Sequence, residues 1–401
     1  MRHFTFALLL PLALCAAADC QVLFPADAKP IGPYSPGIRV GDTVYVSGQG
    51  SRDPRTGQHP ASFDAQVRQT MENIRSTLKS GRLDLKNLAY CHVYLDDFNN
   101  YATATRVFRS YFKKDPPAGT VLGLAGMPGG THVEVTCVAS AGQRKAVWPP
   151  KVSRRGQTFS PGMLTAERLY VSGQRPNTPT ADYATQVREA LENMGRVLKA
   201  AGLGFPNMVF VNPYLVRREG ARAFNKVYAS FFEFGNTPAR ATISVVKLPN
   251  DAPIEFTGVA VRDLSKRRSV RPANMKPSPT ASPCVFAGDT FYCSAKSGFI
   301  PSGGIRVPDV EGQLKQTMRN LLDGLEEAGL TWNDVVETHV YLDDMADYAK
   351  MNALYATYFG KTPPTRTTLQ QIPSLGAART AGGPGKYPTL EQISLVAVRR
   401  H

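Results

Sequence analysis

Arg240 and Glu255 are the first side chains in this sequence whose types and spacing suggest chemistry. Arg240 follows Pro238-Ala239, and Glu255 stands 15 residues later inside Ile254-Glu255-Phe256. Residues 241–247 and 254–261 read as strands. If they turn at 248–253, Arg240, Thr242 and Glu255 share one sheet face by parity. A guanidinium there suits a carboxylate gripped bidentately. A part-buried glutamate beside it can position a water or exchange a proton. The same spacing also fits a structural Arg–Glu pair at an interface, and spacing alone leaves both open.

Other chemistries find little support. There is no P-loop, no Gly-x-Ser-x-Gly elbow and no Cys-x-x-Cys. The six histidines (3, 59, 92, 132, 339, 401) are scattered, so neither a zinc site nor a histidine acid–base pair is suggested. The Gly-rich run 123–130 opens no helix, which argues against phosphate cradling. With 42% hydrophobic and 20% charged residues over 401 positions, the chain is globular rather than disordered. No run of 18 apolar residues occurs past the first 20 positions, so no membrane span is expected in the body of the chain.

The elements that must position these residues repeat. Ser47-Gly48-Gln49 recurs as Ser172-Gly173-Gln174 and, weakened, as Ser294-Ala295-Lys296. The stretch 66–73 returns at 186–193 and 313–320, and His92-Val93-Tyr94-Leu95 returns as Asn212-Pro213-Tyr214-Leu215 and His339-Val340-Tyr341-Leu342. Spacings of 120 to 127 residues are those of whole domains, not of a solenoid. Each copy reads as a hairpin, at 38–40 and 43–47 around Gly41-Asp42 in the first. An amphipathic helix follows with Val67, Met71, Ile74 and Leu78 on one stripe. A strand at 89–95, a second helix at about 101–112 and a final strand pair close the unit. Two helices against one mixed sheet is a small α/β (α+β) sandwich.

Residues 1–18 read as an export signal. Arg2-His3 is polar, 4–14 is mostly apolar, and Ala16-Ala17-Ala18 precedes a cut before Asp19. A strand or core helix is the other reading. Export to a periplasmic or extracellular setting would permit disulfides. The repeats then place units at 25–142, 156–262 and 277–401, with basic linkers at 143–155 and 263–276. Of the net +15, most sits in these connections: 143–155 carries five basic residues and no acid, and 262–277 carries six against Asp263. Solvated linkers are expected, and no basic groove with interleaved aromatics suggests nucleic acid. Cys284 and Cys293 flank Gly288-Asp289, and a two-residue loop there sets them directly opposite at a non-hydrogen-bonded position. Their Cα atoms would then lie about 4.5 Å apart, within disulfide range. A disulfide bracing the strand of Ser294, or two thiols packed side by side, both satisfy that register.

Ile31-Gly32-Pro33-Tyr34-Ser35, Val46-Ser47-Gly48-Gln49, Pro238-Ala239-Arg240 and Ile254-Glu255-Phe256 resemble the signatures of the YjgF/RidA family, also called L-PSP. The resemblance recurs three times and covers nearly the whole chain after the export segment. It implies a chorismate-mutase-like fold, assembled as homotrimers with ligand clefts between neighbours. It also implies hydrolysis of enamines and imines such as 2-aminoacrylate to 2-keto acids and ammonia, without cofactor or metal. For this chain it implies three RidA domains forming an intramolecular pseudo-trimer.

Carried over by position, the carboxylate-binding arginine of the family matches Arg240 and Arg366, with Gly119 in the first copy. The water-positioning glutamate matches Glu134 and Glu255; the third copy has Gln392 there, Glu391 one step off, and an insertion before it at 374–388. The loop tyrosine matches Tyr34, then becomes Phe159 and Ala281. The serine matches Ser47, Ser172 and Ser294, and the helix asparagine matches Asn225 and Asn352, with Thr105 in the first copy. Only the second copy holds both arginine and glutamate.

These matches lead to an enamine/imine deaminase in which Arg240 binds the substrate carboxylate and Glu255 orients water. Ser172, Asn225, Phe159 and Thr242 would line that cleft, and Tyr34, Ser47, Glu134, Arg366, Asn352 and Ser294 the others. The expected partner is a small carboxylate-bearing enamine, imine or 2-keto acid, and the expected state is a monomer acting as a pseudo-trimer. A non-catalytic pseudo-trimer that binds small carboxylates or a protein is the alternative, motivated by the losses at Gly119 and Gln392. An endoribonuclease, resting on the family's older name and the +15 charge, is a third.

Overall fold

The structure, a computed structural model, describes residues 20–216, 220–301, 304–373 and 387–400. The expected export segment and most of the insertion at 374–388 lie outside them. In the first unit β1 (Cys20–Leu23), β2 (Gly37–Val40), β3 (Thr43–Gly50), β4 (Leu88–Leu95), β5 (Ala118–Gly123) and β6 (Val133–Ser140) form a sheet in the order β1-β2-β3-β6-β4-β5. The helices α1 (Phe63–Ser80) and α2 (Tyr101–Ser110) cover one face. The second unit repeats this with β7 (Lys145–Val147), β8 (Gly162–Leu164), β9 (Arg168–Gln174), α3 (Tyr183–Ala200), β10 (Met208–Leu215), α4 (Ala221–Ala229), β11 (Ala239–Arg240), β12 (Ile243–Ser244) and β13 (Ile254–Val261). The third has β14 (Arg267–Val270), β15 (Cys284–Ala287), β16 (Thr290–Ser297), α5 (Val310–Glu327), β17 (Val335–Leu342), α6 (Tyr348–Tyr355), β18 (Thr365–Gln370) and β19 (Glu391–Val398).

Local sequence explains the long helices. Val67, Met71, Ile74 and Leu78 of α1 are fully buried on its sheet side. Ser62, Asp182 and Asp309 cap α1, α3 and α5 by accepting from backbone N–H groups of the first turn. The faces of the three sheets that carry no helix meet at the centre. Tyr45, Tyr90, Tyr170, Val259, Tyr292 and Val396 belong to one apolar cluster drawn from all three units, and Tyr94, Tyr214 and Tyr341 to another. The three RidA-like units thus form an intramolecular pseudo-trimer.

Two expectations need correction. First, β11 and β13 do not pair with each other. β10 runs between them, parallel to β11 with Arg240 opposite Val211, and antiparallel to β13 with Glu255 opposite Tyr214. The crossover helix α4 makes β10 and β11 parallel, and β13 returns along the other side of β10. Val211 and Tyr214 are three residues apart, so their side chains leave opposite faces. Arg240 therefore turns to the helix layer and Glu255 to the other face. Second, the basic connections are not simply solvated. β7 lies within 143–155 and β14 within 263–276, each pairing as an edge strand of the following sheet. Arg144 donates to the carbonyls of Lys86 and Asp115, and Arg267 to those of Met208 and Asn236. Part of the positive charge thus ties segments together.

Cys284 pairs with Cys293 across β15 and β16, and the two form a disulfide with Cα atoms 4.1 Å apart. A second disulfide, Cys91–Cys137, joins β4 to β6 with Cα atoms 4.2 Å apart. Its partners are 46 residues apart, so no short-loop register points to it in the sequence.

Candidate active site

One hydrogen-bonded suture repeats at all three unit boundaries and builds the floor of a cleft at each. The hydroxyls of Ser47, Ser172 and Ser294 donate to the carbonyls of Ser35, Ser160 and Ser282 in their own units. Each also accepts a backbone N–H from the neighbouring unit, from Arg366, Gly119 and Arg240 respectively. These serines are therefore occupied in joining strands. They set the position of the arginine-bearing strand of one unit against the glutamate-bearing strand of the next.

The consequence is that Arg240 and Glu255 belong to different clefts. Arg366 of the third unit instead meets Glu134 of the first, in a cavity of about 340 Å³ that Tyr34, Gly48, Tyr348 and Thr368 also line. Arg366 is 3% exposed, and its guanidinium lies over the rings of Tyr34, Tyr348 and Tyr355 at 5.0 to 5.8 Å. Nη2 donates to the Tyr348 hydroxyl at 3.3 Å, while Nη1 is buried without a partner among the described residues. Asn352 Oδ1 and Thr368 Oγ1 are likewise buried and unpartnered. Such groups are costly in an interior unless something else satisfies them. Gly32 approaches so closely that a Cβ there would stand 2.5 Å from the guanidinium, and the loop to Tyr34 closes over it.

Glu134 is 5% exposed, and its carboxyl lies directly over the Gly48 backbone, where a Cβ would overlap it. Burial pushes its pKa up to about 8, against a lowering pull from Arg366. It is then mainly protonated at neutral pH, yet close to the point where it gives up that proton. Burial also pushes the Tyr34 hydroxyl up to about 12.

The cleft between units 1 and 2 has a different content. Gly119 stands in the arginine position, and a Cβ there would stand 2.7 Å from the Phe159 ring, which packs on Phe108. Thr105, in the asparagine position, bonds back to the Tyr101 carbonyl of its own helix. Glu255 is fully buried, paired with Arg175 at 2.5 Å and accepting the Thr120 hydroxyl. Both of its oxygens are thereby engaged.

The cleft between units 2 and 3 keeps the arginine alone. Arg240 donates to Asn225 Oδ1 at 3.0 Å and lies over Phe224 and Tyr228. Opposite it, Gln392 pairs with Ser297 just as Glu134 pairs with Gly50, so it holds the glutamate register. Its amide donates to the Thr242 carbonyl and to Gln371. Ala295 replaces the glycine over which Glu134 folds. Glu391 points the other way, into the unit's own core, where it accepts the Thr317 hydroxyl at 2.5 Å. Arg175, Thr368 and Lys296 are cleft residues that the repeat pattern did not single out. Among the described residues no three His, Cys, Asp or Glu side chains converge as a metal site would require.

Comparison with known proteins finds the same family in each of the three units. The profile of the endoribonuclease L-PSP family matches at residues 25–141, 154–262 and 273–375. A RutC family protein of Sulfurisphaera tokodaii is 36% identical over 28% of this chain and 92% of its own length. A 2-iminobutanoate/2-iminopropanoate deaminase of Mus musculus is 34% identical over 28% of this chain and 84% of its own. The crystal structure of RidA from a Psychrobacter species, 30% identical, covers 30% of this chain and 99% of its own with a TM-score of 0.29.

Proposed function

The chain belongs to the endoribonuclease L-PSP (YjgF/RidA) family in three successive units, and we propose that it hydrolyses short 2-imino or enamine carboxylates at the cleft between units 3 and 1. The observation that carries this reading is the set of unsatisfied groups there: Arg366 Nη1 and Thr368 Oγ1, on residues that line a cavity also holding Glu134, with Asn352 Oδ1 beside Gly32 at its edge. Arg366 receives the substrate carboxylate. The neutral Glu134 gives its proton to the imine nitrogen, and the resulting carboxylate takes one from the water that adds to C2. Returned to the amine, that proton lets ammonia leave as the carbinol hydroxyl becomes the 2-keto group and gives its own proton back to Glu134. In sum, imine and water become 2-keto acid and ammonia. The chain's likeness to the mouse 2-iminobutanoate/2-iminopropanoate deaminase supports the substrate class.

Arg366 and Glu134 thus replace Arg240 and Glu255 as the pair assigned to the chemistry. Generating 2-aminoacrylate in situ and following 2-keto acid release tests the assignment; an Arg366→Ala protein as fast as wild type would overturn it. Capture of a small carboxylate without turnover is the second reading, favoured by the loss of one partner in each of the other clefts. Calorimetry with 2-ketobutyrate separates the two, because binding without hydrolysis supports capture. Export remains part of the proposal, supported by two disulfides. The three units already supply one another's interfaces, so a single chain in light scattering is expected.

A further inference from the structure

Lys296 is the penultimate residue of β16, in the position that Gln49 and Gln174 hold in the other units. Those two amides turn back onto the carbonyls of Ser47 and Ser172. Among the described residues the half-buried Lys296 ammonium instead meets only the Met275 sulfur, at 3.7 Å, a weak acceptor. The carboxylate that acts on it, Asp323, is already paired with Arg319 at 2.5 Å. Burial brings the Lys296 pKa down to about 8, so an appreciable fraction is free amine at neutral pH. Lys296 shares a cavity of about 370 Å³ with Arg240, Thr242, Ser294 and Gln392. Thr242 Oγ1 is buried there without a partner.

We propose that this cleft between units 2 and 3 is a carbonyl site, taking a short 2-oxo acid whose carboxylate rests on Arg240 and whose ketone condenses with Lys296. The Nζ lone pair adds to C2, and the carbonyl oxygen takes up a proton to give a carbinolamine. Loss of that hydroxyl as water, with a proton from nitrogen, leaves a C=N bond. The step is reversible, releases one water and involves no redox change. The substitutions around the lysine agree with this role. A glutamate at 392 would pair with the ammonium and hold it protonated, whereas Gln392 carries no charge. Ala295 leaves no room for a carboxyl to fold over the strand, as Glu134 does over Gly48. The inference holds whether or not the first cleft hydrolyses imines.

Trapping the imine tests it. Intact protein incubated with pyruvate and cyanoborohydride should gain one reduced adduct, of pyruvate mass less one water plus two hydrogens, and peptide mapping should place it on Lys296. Lys296→Met should carry no adduct in that peptide. Arg240→Gln should slow labelling by pyruvate at least about tenfold. Acetone, which lacks the carboxylate, should label wild type and Arg240→Gln alike. If Lys296→Met fails to fold, protection of wild-type Lys296 from an acylating reagent by pyruvate gives the same information. Labelling on Lys276 of the same cavity instead of Lys296, labelling spread over exposed lysines such as Lys79, labelling indifferent to Arg240, or absence of protection would overturn the proposal.

Discussion

Glu134 and Glu255 occupy the same place in two copies of one unit and do different things. Each faces a tyrosine across the sheet, Tyr94 or Tyr214, and each lies over the glycine of Ser-Gly. Glu134 faces a guanidinium with an unpaired nitrogen, contributed by the third unit, and Gly50 brings no side chain beside it. Glu255 is held by Thr120 and by Arg175, which stands where the first unit has Gly50, and its boundary carries Gly119 and the Phe159 ring in place of an arginine. The second unit keeps both arginine and glutamate, yet they serve different boundaries. Competence is therefore a property of a pair of units, and a residue-by-residue inventory of one unit cannot report it.

The sharpest test of this contrast is the glutamate itself. Glu134→Gln should lower kcat/KM for imine hydrolysis on the order of 10³-fold, as loss of a general acid–base does. In wild type the neutral carboxyl is the proton donor, so kcat/KM should fall as pH rises through about 8, and that limb should vanish in Glu134→Gln. Retention of the limb in the variant would assign it to another group. Next in size, Arg366→Ala should cost roughly 10²-fold, mostly in KM, because a charged hydrogen bond to the substrate is lost. An unchanged KM would break the comparison by removing the reason the 3–1 boundary differs.

Stability reports on the other boundary. Glu255→Gln removes the charge that Arg175 faces. Since Arg175 is 29% exposed and can turn toward water, the cost in denaturant unfolding should be about 1–2 kcal/mol. Hydrolysis should change far less than in Glu134→Gln. Gly119→Ala places a Cβ against the Cys91 carbonyl and the Phe159 ring, and should cost about 1–3 kcal/mol in the same experiment. A neutral effect would mean that the arginine position there had room to be refilled. The last test is a pH trend. The Glu134 pKa is raised in the fold from 4.5 to about 8, so its proton stabilises the fold fully below 4.5 and that contribution is lost as pH rises through about 8. The melting temperature of Glu134→Gln relative to wild type should therefore climb between about pH 5 and pH 9. A flat difference would show that burial does not raise this carboxyl.

The repeat, the helix stripes and the hairpin registers were legible in the chain because each is a local matter. Val67, Met71, Ile74 and Leu78 reveal their buried face by spacing alone, and the Gly288-Asp289 loop sets Cys284 opposite Cys293. The unit type and its threefold recurrence follow from such patterns. What the chain could not disclose was non-local. That β10 enters between β11 and β13, that Cys91 meets Cys137 over 46 residues, and that β7 and β14 complete sheets from within basic segments all depend on which surfaces become buried together. The site follows the same division. Residue type marked Arg240 and Glu255 as candidates, because a guanidinium or a carboxylate amid apolar strands is unusual anywhere, and the family resemblance added Arg366 and Glu134. Which arginine faces which glutamate was decided only when the three sheets packed about one axis, because each cleft takes one wall from each of two neighbours.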